Sequence, residues 1–198
     1  MAGDSQPAKE NSRDRVLSSD ELMMLWNSAT GQYGAIWKLL LLTGQRRSQV
    51  LSLEWEWISD STIEFPAIIM KNKKPHIIPL GDLAQAAMPS RAGRYVFPSS
   101  KGGHTKNVSE QKIEHDGSMK PYVLHDLRRT FASIHASIGT PIHIIEKLLN
   151  HTSGQLSGVV GIYNRYSYQT EMKLAVQKYE EHLRSLLSTD KGRAVDAS

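Results

Sequence analysis

The sequence predicts a mainly α-helical domain that carries a small antiparallel β-sheet, an α+β fold. Apolar residues recur at helical spacing in the first quarter of the chain and again from Leu124 onwards. Between Trp57 and Leu80 the apolar period changes to that of β-strands. The length of 198 residues, 39% of them hydrophobic, is enough for one domain with a proper core.

The predicted helices are marked by end signals. Ser18 and Glu21 make a capping box ahead of the first helix, and Gly44 stops the second at a C-cap position. Pro141 opens a later helix after Gly139 has ended the one before it. The predicted helical ranges are 19–28, 33–42, 46–53, 82–88, 124–138, 141–150 and 170–187.

The strand-like region is predicted to form a small sheet. Its strands are placed at 62–65, 67–70 and 76–80, with Asn72 to Pro75 as the turn before the last one. Residues 89–105 are rich in Gly, Ser and Pro and predict a loop with a brief strand at 95–97.

Composition bounds the class of protein. Residues 1–15 have the composition of a disordered tail or cloning remnant, one domain is expected over 16–188, and 189–198 is expected to be a flexible C-terminal tail. The chain has no cysteine, which excludes disulfides and thiolate metal sites, and no apolar stretch long enough to span a membrane. A cytoplasmic protein is therefore expected. The net charge of +4 and pI of about 9.2 are compatible with a polyanionic partner but indicate it only weakly.

Two stretches in the first half carry candidate chemistry. Arg46 follows the helix-ending Gly44 and should project beside the amides at the next helix start, a good place for a phosphate. Lys71 is one of three lysines in the turn from Met70 to His76, from which a lysine can reach into a groove and protonate a leaving oxygen. Taken singly, a solvated arginine and a solubilising hairpin tip are the simpler explanations.

Three further stretches lie in the second half. His125 and Arg128 are three residues apart and share one helix face, a base and a cation suited to phosphoryl transfer. His151 ends an apolar helix, where a histidine also serves as an ordinary cap, and Tyr163 precedes Asn-Arg. Taken singly, each of these also has an ordinary structural explanation, because most tyrosines are packing residues.

In their order along the chain, the five stretches resemble the tyrosine recombinase family. The family pattern is an arginine after a Thr-Gly turn, a hairpin lysine, a His-x-x-Arg helix, a second His or Trp, and a tyrosine. The resemblance covers residues 16–187 and is closest to integrases of phages and genomic islands, because 125–131, 149–151 and 163–165 look like their boxes. It implies the integrase catalytic-domain fold over 16–188. It also implies a site-specific recombinase that cleaves and rejoins DNA through a 3′-phosphotyrosine, integrating or excising a mobile element.

The resemblance assigns the phosphate-binding roles. Arg46 and Arg128 would clamp the non-bridging oxygens of the scissile phosphate, where a planar guanidinium matches the geometry. His151 would donate a further hydrogen bond to the phosphate. On this assignment no metal and no cofactor is required.

The resemblance also assigns the groups that make and break bonds. Tyr163 would attack phosphorus, His125 would accept its proton, and Lys71 would protonate the departing 5′ oxygen. Neighbouring residues compete for three assignments. The family spacing favours Arg46 and Lys71, and the Asn-Arg that follows Tyr163 favours that tyrosine. The competitors are Arg47 for Arg46, Lys73 and Lys74 for Lys71, and Tyr166 and Tyr168 for Tyr163.

One position departs from the family pattern. Three residues after the first arginine the family usually has an acidic residue, and this chain has Gln49. A glutamine supplies hydrogen bonds but no charge, so a catalytically weakened DNA-binding relative is the alternative function. A type IB topoisomerase uses similar chemistry, but the boxes match integrases better.

The resemblance implies double-stranded DNA attachment sites as the partner and a tetramer on DNA, with no membrane. In the family the C-terminal helix of one protomer packs on its neighbour. The apolar stripe over 172–187 suits that exchange and equally suits packing on its own domain, which would leave an isolated domain monomeric. Family members carry an upstream DNA-binding domain, for which residues 1–15 are too short, so a truncated fragment is expected.

Overall fold

The computed structural model describes residues 14–106, 108, 119–151 and 167–193, with side chains to residue 188. In this part of the chain, the helices and a two-stranded sheet share one apolar core. No described helix combines the length and the apolar character needed to cross a membrane. The α-helices are α1 (Ser19–Ser28), α2 (Gly31–Thr43), α3 (Arg47–Leu51), α4 (Asp82–Ala86), α5 (Leu124–Ser137), α6 (Ile142–Leu149) and α7 (Gln169–Arg193).

Helix α1 begins, and helix α2 ends, where the cap residues predict. The Glu21 N–H donates to Ser18 Oγ, and the Ser18 N–H donates to Glu21 Oε2 at 2.9 Å, which completes the capping box of α1. Gly44 ends α2 in the left-handed conformation, with φ of 62° and its N–H on Leu40 O. A Cβ at this position would lie 2.5 Å from Phe131 Cδ1, so glycine is required by packing as well as by φ.

The sheet has two strands among the described residues, β1 (Thr62–Phe65) and β2 (His76–Pro79), which pair antiparallel with Phe65 opposite His76. The predicted strand at 67–70 is wrong. That segment is a 3₁₀ turn, Ala67–Ile69, because β1 pairs directly with β2 and the freed amides bond back to Pro66 O and Ala67 O. The predicted strand at 95–97 is also wrong, since only an isolated bridge forms there, between Glu54 and Tyr95.

The other predicted helices are confirmed with shifted ends. Helices α3 and α4 each cover five residues and are shorter than predicted. The last helix is longer, because α7 continues to Arg193, past the predicted end at 187 and into the residues assigned to a flexible tail.

Helix α7 packs on its own domain. The Tyr179 hydroxyl, fully buried, donates to Leu41 O of α2 at 2.9 Å. The buried Glu180 carboxylate accepts the N–H groups of Leu83 and Ala84 at 2.9 and 3.1 Å, at the start of α4. Of the two alternatives for the C-terminal apolar stripe, the structure shows intramolecular packing as far as Leu183.

A buried histidine in the core makes stability depend on pH. The His135 ring stacks on Tyr179, its Nδ1 lies 3.0 Å from Thr140 Oγ1, and burial lowers its pKa to about 4. The unfolded chain, with an ordinary histidine pKa near 6.5, therefore binds more protons between about pH 4 and 6.5. The contribution is complete above pH 6.5 and is lost as the pH falls towards 4.

We expect the free energy of unfolding to fall by about 3 kcal/mol from His135 alone between pH 7 and pH 4. Urea denaturation at both pH values measures it, with His135→Phe as the comparison because phenylalanine keeps a ring against Tyr179. In the variant, the free energy of unfolding should differ between pH 7 and pH 4 by less, and the reduction should be most of the expected contribution of about 3 kcal/mol. An unchanged difference would contradict this account.

Candidate active site

The candidate active site forms where the C-terminal ends of α2 and α6 meet the side chain of Arg128 from α5. The Arg128 guanidinium donates to Gly44 O at 2.6 Å and to Leu149 O at 2.7 Å. Arg128 is buried, with 8% of its surface exposed. Helix C-termini carry partial negative charge, so this pair of carbonyls stabilises the buried cation and fixes its orientation.

Arg46 lies close enough to Arg128 for their charges to repel. It is half-buried just before α3, and its backbone N–H donates to Gln49 Oε1 at 2.9 Å. Burial, and then repulsion from Arg46, lower the pKa of Arg128 to about 10. Among the described residues, no carboxylate forms an ion pair with either arginine. Within the described residues, the two arginines thus form a positive site that no carboxylate neutralises.

His125 joins the site from the first turn of α5. Burial lowers its pKa, and the positive charges of Arg129 and Arg128 lower it further. The start of α5 is held by Asp126, which accepts the Val123 N–H at 2.8 Å and pairs with Arg129 at 2.6 Å. His125 and Arg128 both line an open cavity of about 380 Å³. The structure therefore places an imidazole and a guanidinium in the lining of one cavity.

Lys71 is exposed on the loop between the strands, and both of its neighbours are tied to the site. On one side, Gln49 Nε2 donates to Met70 Sδ at 3.0 Å. On the other, Asn72 Nδ2 donates to Asn150 Oδ1 at 3.0 Å, at the end of α6. The lysine thus lies between anchors to the Arg46 segment and to the α6 end.

His151 is exposed directly after α6. Asn150 adopts the left-handed conformation, with φ of 47°, and donates its N–H to Lys147 O at 3.1 Å. The His151 N–H then donates to Glu146 O at 2.9 Å, which completes a Schellman motif. This motif fixes the direction in which the chain leaves the helix.

Gln49 stands where the family usually has an acidic residue, and its side chain makes two hydrogen bonds there. It is buried at 3% exposure, and its two side-chain atoms bond Arg46 N–H and Met70 Sδ. The supporting role assigned from the sequence stays a proposal, but its contacts are of the expected kind.

The tyrosine segment lies outside the described residues, so Tyr163 and its competitor Tyr166 are not placed. The remaining competitor, Tyr168, is described. Its ring lies 5.4 Å from the ring of His143 and 5.5 Å from Lys147 Nζ, against α6.

Two residues at the site were missed by the sequence reasoning. Gln45 Nε2 donates to Leu148 O at 2.8 Å and to Thr43 O at 2.9 Å. His76 Nε2 lies 3.1 Å from the same Leu148 carbonyl. Burial, and then repulsion from nearby cations that include Arg128, lower the pKa of His76 to about 4. The only sequence signal was a histidine at the start of the strand that follows the lysines.

The described residues contain no group of three His, Cys, Asp or Glu side chains that could hold a metal ion. The candidate residues that the structure places at this site carry guanidinium, imidazole and ammonium groups. Such groups bind and polarise an anion.

Comparison with known proteins identifies the family. The family model described as the phage integrase family matches residues 15–170. The chain is 29% identical to the prophage integrase IntZ of Escherichia coli (strain K12) over 161 residues, 76% of this chain and 39% of that relative. It is 25% identical to the integrase of Salmonella phage P22, covering 91% of this chain and 49% of that relative. The chain thus spans half or less of the length of these relatives.

Solved structures share the fold. The crystal structure of XerA recombinase matches with a TM-score of 0.61 and 21% identity, covering 89% of this chain and 66% of that one. The crystal structure of a lambda integrase tetramer bound to a Holliday junction matches with a TM-score of 0.59 and 19% identity, over 75% of this chain and 50% of that one. These matches confirm the predicted fold class. With a family model that matches most of its residues, the chain belongs to the phage integrase family.

Proposed function

We propose that this chain is the catalytic domain of a site-specific DNA recombinase that cuts and rejoins strands through a 3′-phosphotyrosine on Tyr163. One observation carries the proposal: among the residues that the structure describes, the buried Arg128 guanidinium bonds two main-chain carbonyls and no carboxylate, and Arg46 stands beside it. A buried cation with a second cation beside it and no carboxylate partner is costly unless an anion binds there. A DNA phosphodiester is such an anion.

The two arginines act on the phosphate. Two N–H groups of Arg128 are held by Gly44 O and Leu149 O, which leaves its other N–H groups for the non-bridging oxygens. Arg46 approaches from the start of α3, and His151 from the turn after α6. Fixed donors of this kind stabilise the charge of a pentacoordinate transition state.

The remaining groups move atoms and protons. The Tyr163 oxygen attacks phosphorus, and its proton passes to His125, whose lowered pKa leaves it neutral and able to accept it. The bond from phosphorus to the 5′ oxygen breaks, and Lys71 gives that oxygen a proton. The phosphodiester energy is kept in the phosphotyrosine, so a 5′ hydroxyl of another strand reverses the step and completes the exchange.

The proposed partner is double-stranded DNA at the attachment sites of a phage or genomic island, in the cytoplasm. The lambda integrase in the matched structure is a tetramer on a Holliday junction, and we extend tetramer formation on DNA to this chain. Exchange of the C-terminal helix between protomers stays a prediction.

A nicked suicide duplex tests the function. The chain is incubated with a duplex that carries the junction sequence flanking its gene and a nick that lets the cleaved end diffuse away. We expect a protein–DNA adduct that survives denaturation, with mass spectrometry of the digested adduct placing the phosphate on Tyr163. Tyr163→Phe serves as the negative control and Tyr166→Phe as the matched control in the same segment. Phosphate on residue 166 or 168 would overturn the assignment, and binding without any adduct would favour the DNA-binding alternative.

A further inference from the structure

The carbonyl of Leu148 is held by side chains from two different parts of the fold. Gln45, at the end of α2, donates to it at 2.8 Å, and His76, at the start of β2, lies 3.1 Å from it. A carbonyl oxygen only accepts, so His76 carries its proton on Nε2 and donates. The last turn of α6 is thereby fastened to the sheet as well as to α2.

The Leu148 carbonyl belongs to the same turn of α6 that contacts Arg128 and leads to His151. The next residue, Leu149, accepts from the Arg128 guanidinium at 2.7 Å. Two residues further along, His151 leaves α6 through its bond to Glu146 O. A displacement of the last turn of α6 would therefore turn both the guanidinium and the His151 segment.

The two donors are not equivalent. Gln45 is buried and also bonds Thr43 O, so it belongs to the packing of the α2 end. His76 begins the strand that follows the Lys71 loop, and its ring stacks on Phe65 with ring centroids 6.4 Å apart and planes 15° from parallel. Its bond ties strand β2 to the last turn of α6, beside the bond from Asn72 in the Lys71 loop to Asn150.

We propose that His76 is a positioning residue for strand cleavage, whose Nε2–H on the Leu148 carbonyl aligns the Arg128 guanidinium and the His151 turn with the scissile phosphate. The proposal rests on the function proposed above. It does not require His76 to touch DNA. Because Gln45 still satisfies Leu148 O when His76 is replaced, the loss should fall on alignment and not on stability.

Two substitutions separate the hydrogen bond from the ring. His76→Phe keeps a ring against Phe65 and removes the donor, and His76→Gln returns an N–H donor at similar reach. His143→Phe, on the exposed face of α6, is the matched control. With the nicked duplex at saturating protein, we expect His76→Phe to lower the cleavage rate constant about tenfold, the worth of one well-aligned hydrogen bond, and His76→Gln to recover most of it. DNA affinity and the melting temperature should stay near those of the unchanged chain.

A substrate with a methylphosphonate at the scissile position distinguishes positioning from a merely structural role, because a structural defect would lower cleavage equally on both substrates. Its phosphorus centre lacks one negative oxygen and depends less on the arginines, so the deficit of His76→Phe should shrink to about threefold or less on this substrate. Equal deficits on both substrates, a wild-type rate in His76→Phe, or equal losses in the Phe and Gln variants would each overturn the proposal.

Hydrogen exchange tests the same contact without DNA. In His76→Phe we expect the amides of Asn150 and His151 to lose protection about tenfold, while those in the middle of α5 stay unchanged. Unchanged exchange at these amides would overturn the positioning role even if no adduct ever forms. An adduct-negative chain with the expected exchange would instead count against the proposed function alone.

Discussion

Arg128→Lys is expected to lower the rate of DNA cleavage by about a hundredfold or more, the range found when one fixed transition-state donor is removed. The guanidinium reaches Gly44 O and Leu149 O together and still presents N–H groups to a ligand. A lysine ammonium is a single point charge, so it cannot bond both carbonyls and a phosphate oxygen in the same geometry. Single-turnover cleavage of the nicked duplex measures the effect.

Arg129→Lys is the matched control for this prediction. Arg129 follows Arg128 on α5, but its side chain pairs with Asp126, a contact that a lysine can also make. We expect its cleavage rate to stay within a few-fold of the unchanged chain. A near-normal rate in Arg128→Lys, or equal losses in the two variants, would show that the buried guanidinium is not the phosphate clamp.

Gly44→Ala is expected to destabilise the fold by about 3 kcal/mol, of which about 1 kcal/mol comes from the left-handed backbone and the rest from overpacking. The new methyl group would lie 2.5 Å from Phe131 Cδ1 and 2.8 Å from Leu149 Cδ2. Both neighbours are buried and held on several sides, so neither moves freely. Urea denaturation followed by circular dichroism gives the free energy of unfolding.

Gly31→Ala separates the two contributions. Gly31 has a φ of 61°, almost the same as Gly44, and nothing lies within 4 Å of a Cβ placed there. It should therefore cost only the backbone share, about 1 kcal/mol. If the two variants lost equal stability, the contact with Phe131 and Leu149 would not be the reason that position 44 needs glycine.

Local signals made most of the fold predictable. The capping box of Ser18 and Glu21 and the glycine at 44 gave helix ends that the structure confirms within two residues. The segment 67–70 misled because its apolar run resembles a strand, whereas the structure leaves Ile68 90% exposed and turns the chain in a 3₁₀ step. An apolar run by itself does not reveal whether a sheet has an edge free to receive it.

The candidate site was predictable only in part. The spacing of His125 and Arg128 placed both on one side of α5, and the helix confirms it. The carbonyl partners of Arg128 are 84 and 21 residues away along the chain, and the contact of His76 with Leu148 spans 72 residues. Such contacts arise from tertiary packing, and no local pattern encodes them.

The packing of α7 limits where the predicted exchange of C-terminal segments between protomers could begin. If Glu180 left its position, the N–H groups of Leu83 and Ala84 would lose their hydrogen-bond acceptor. If Tyr179 left its position, a cavity the size of a phenol ring would form against Phe131. A crossover that keeps each protomer intact must therefore begin beyond Leu183, the last core residue of the helix. The part of α7 up to Leu183 therefore stays packed on its own subunit, and only the residues after Leu183 could contact a neighbouring protomer.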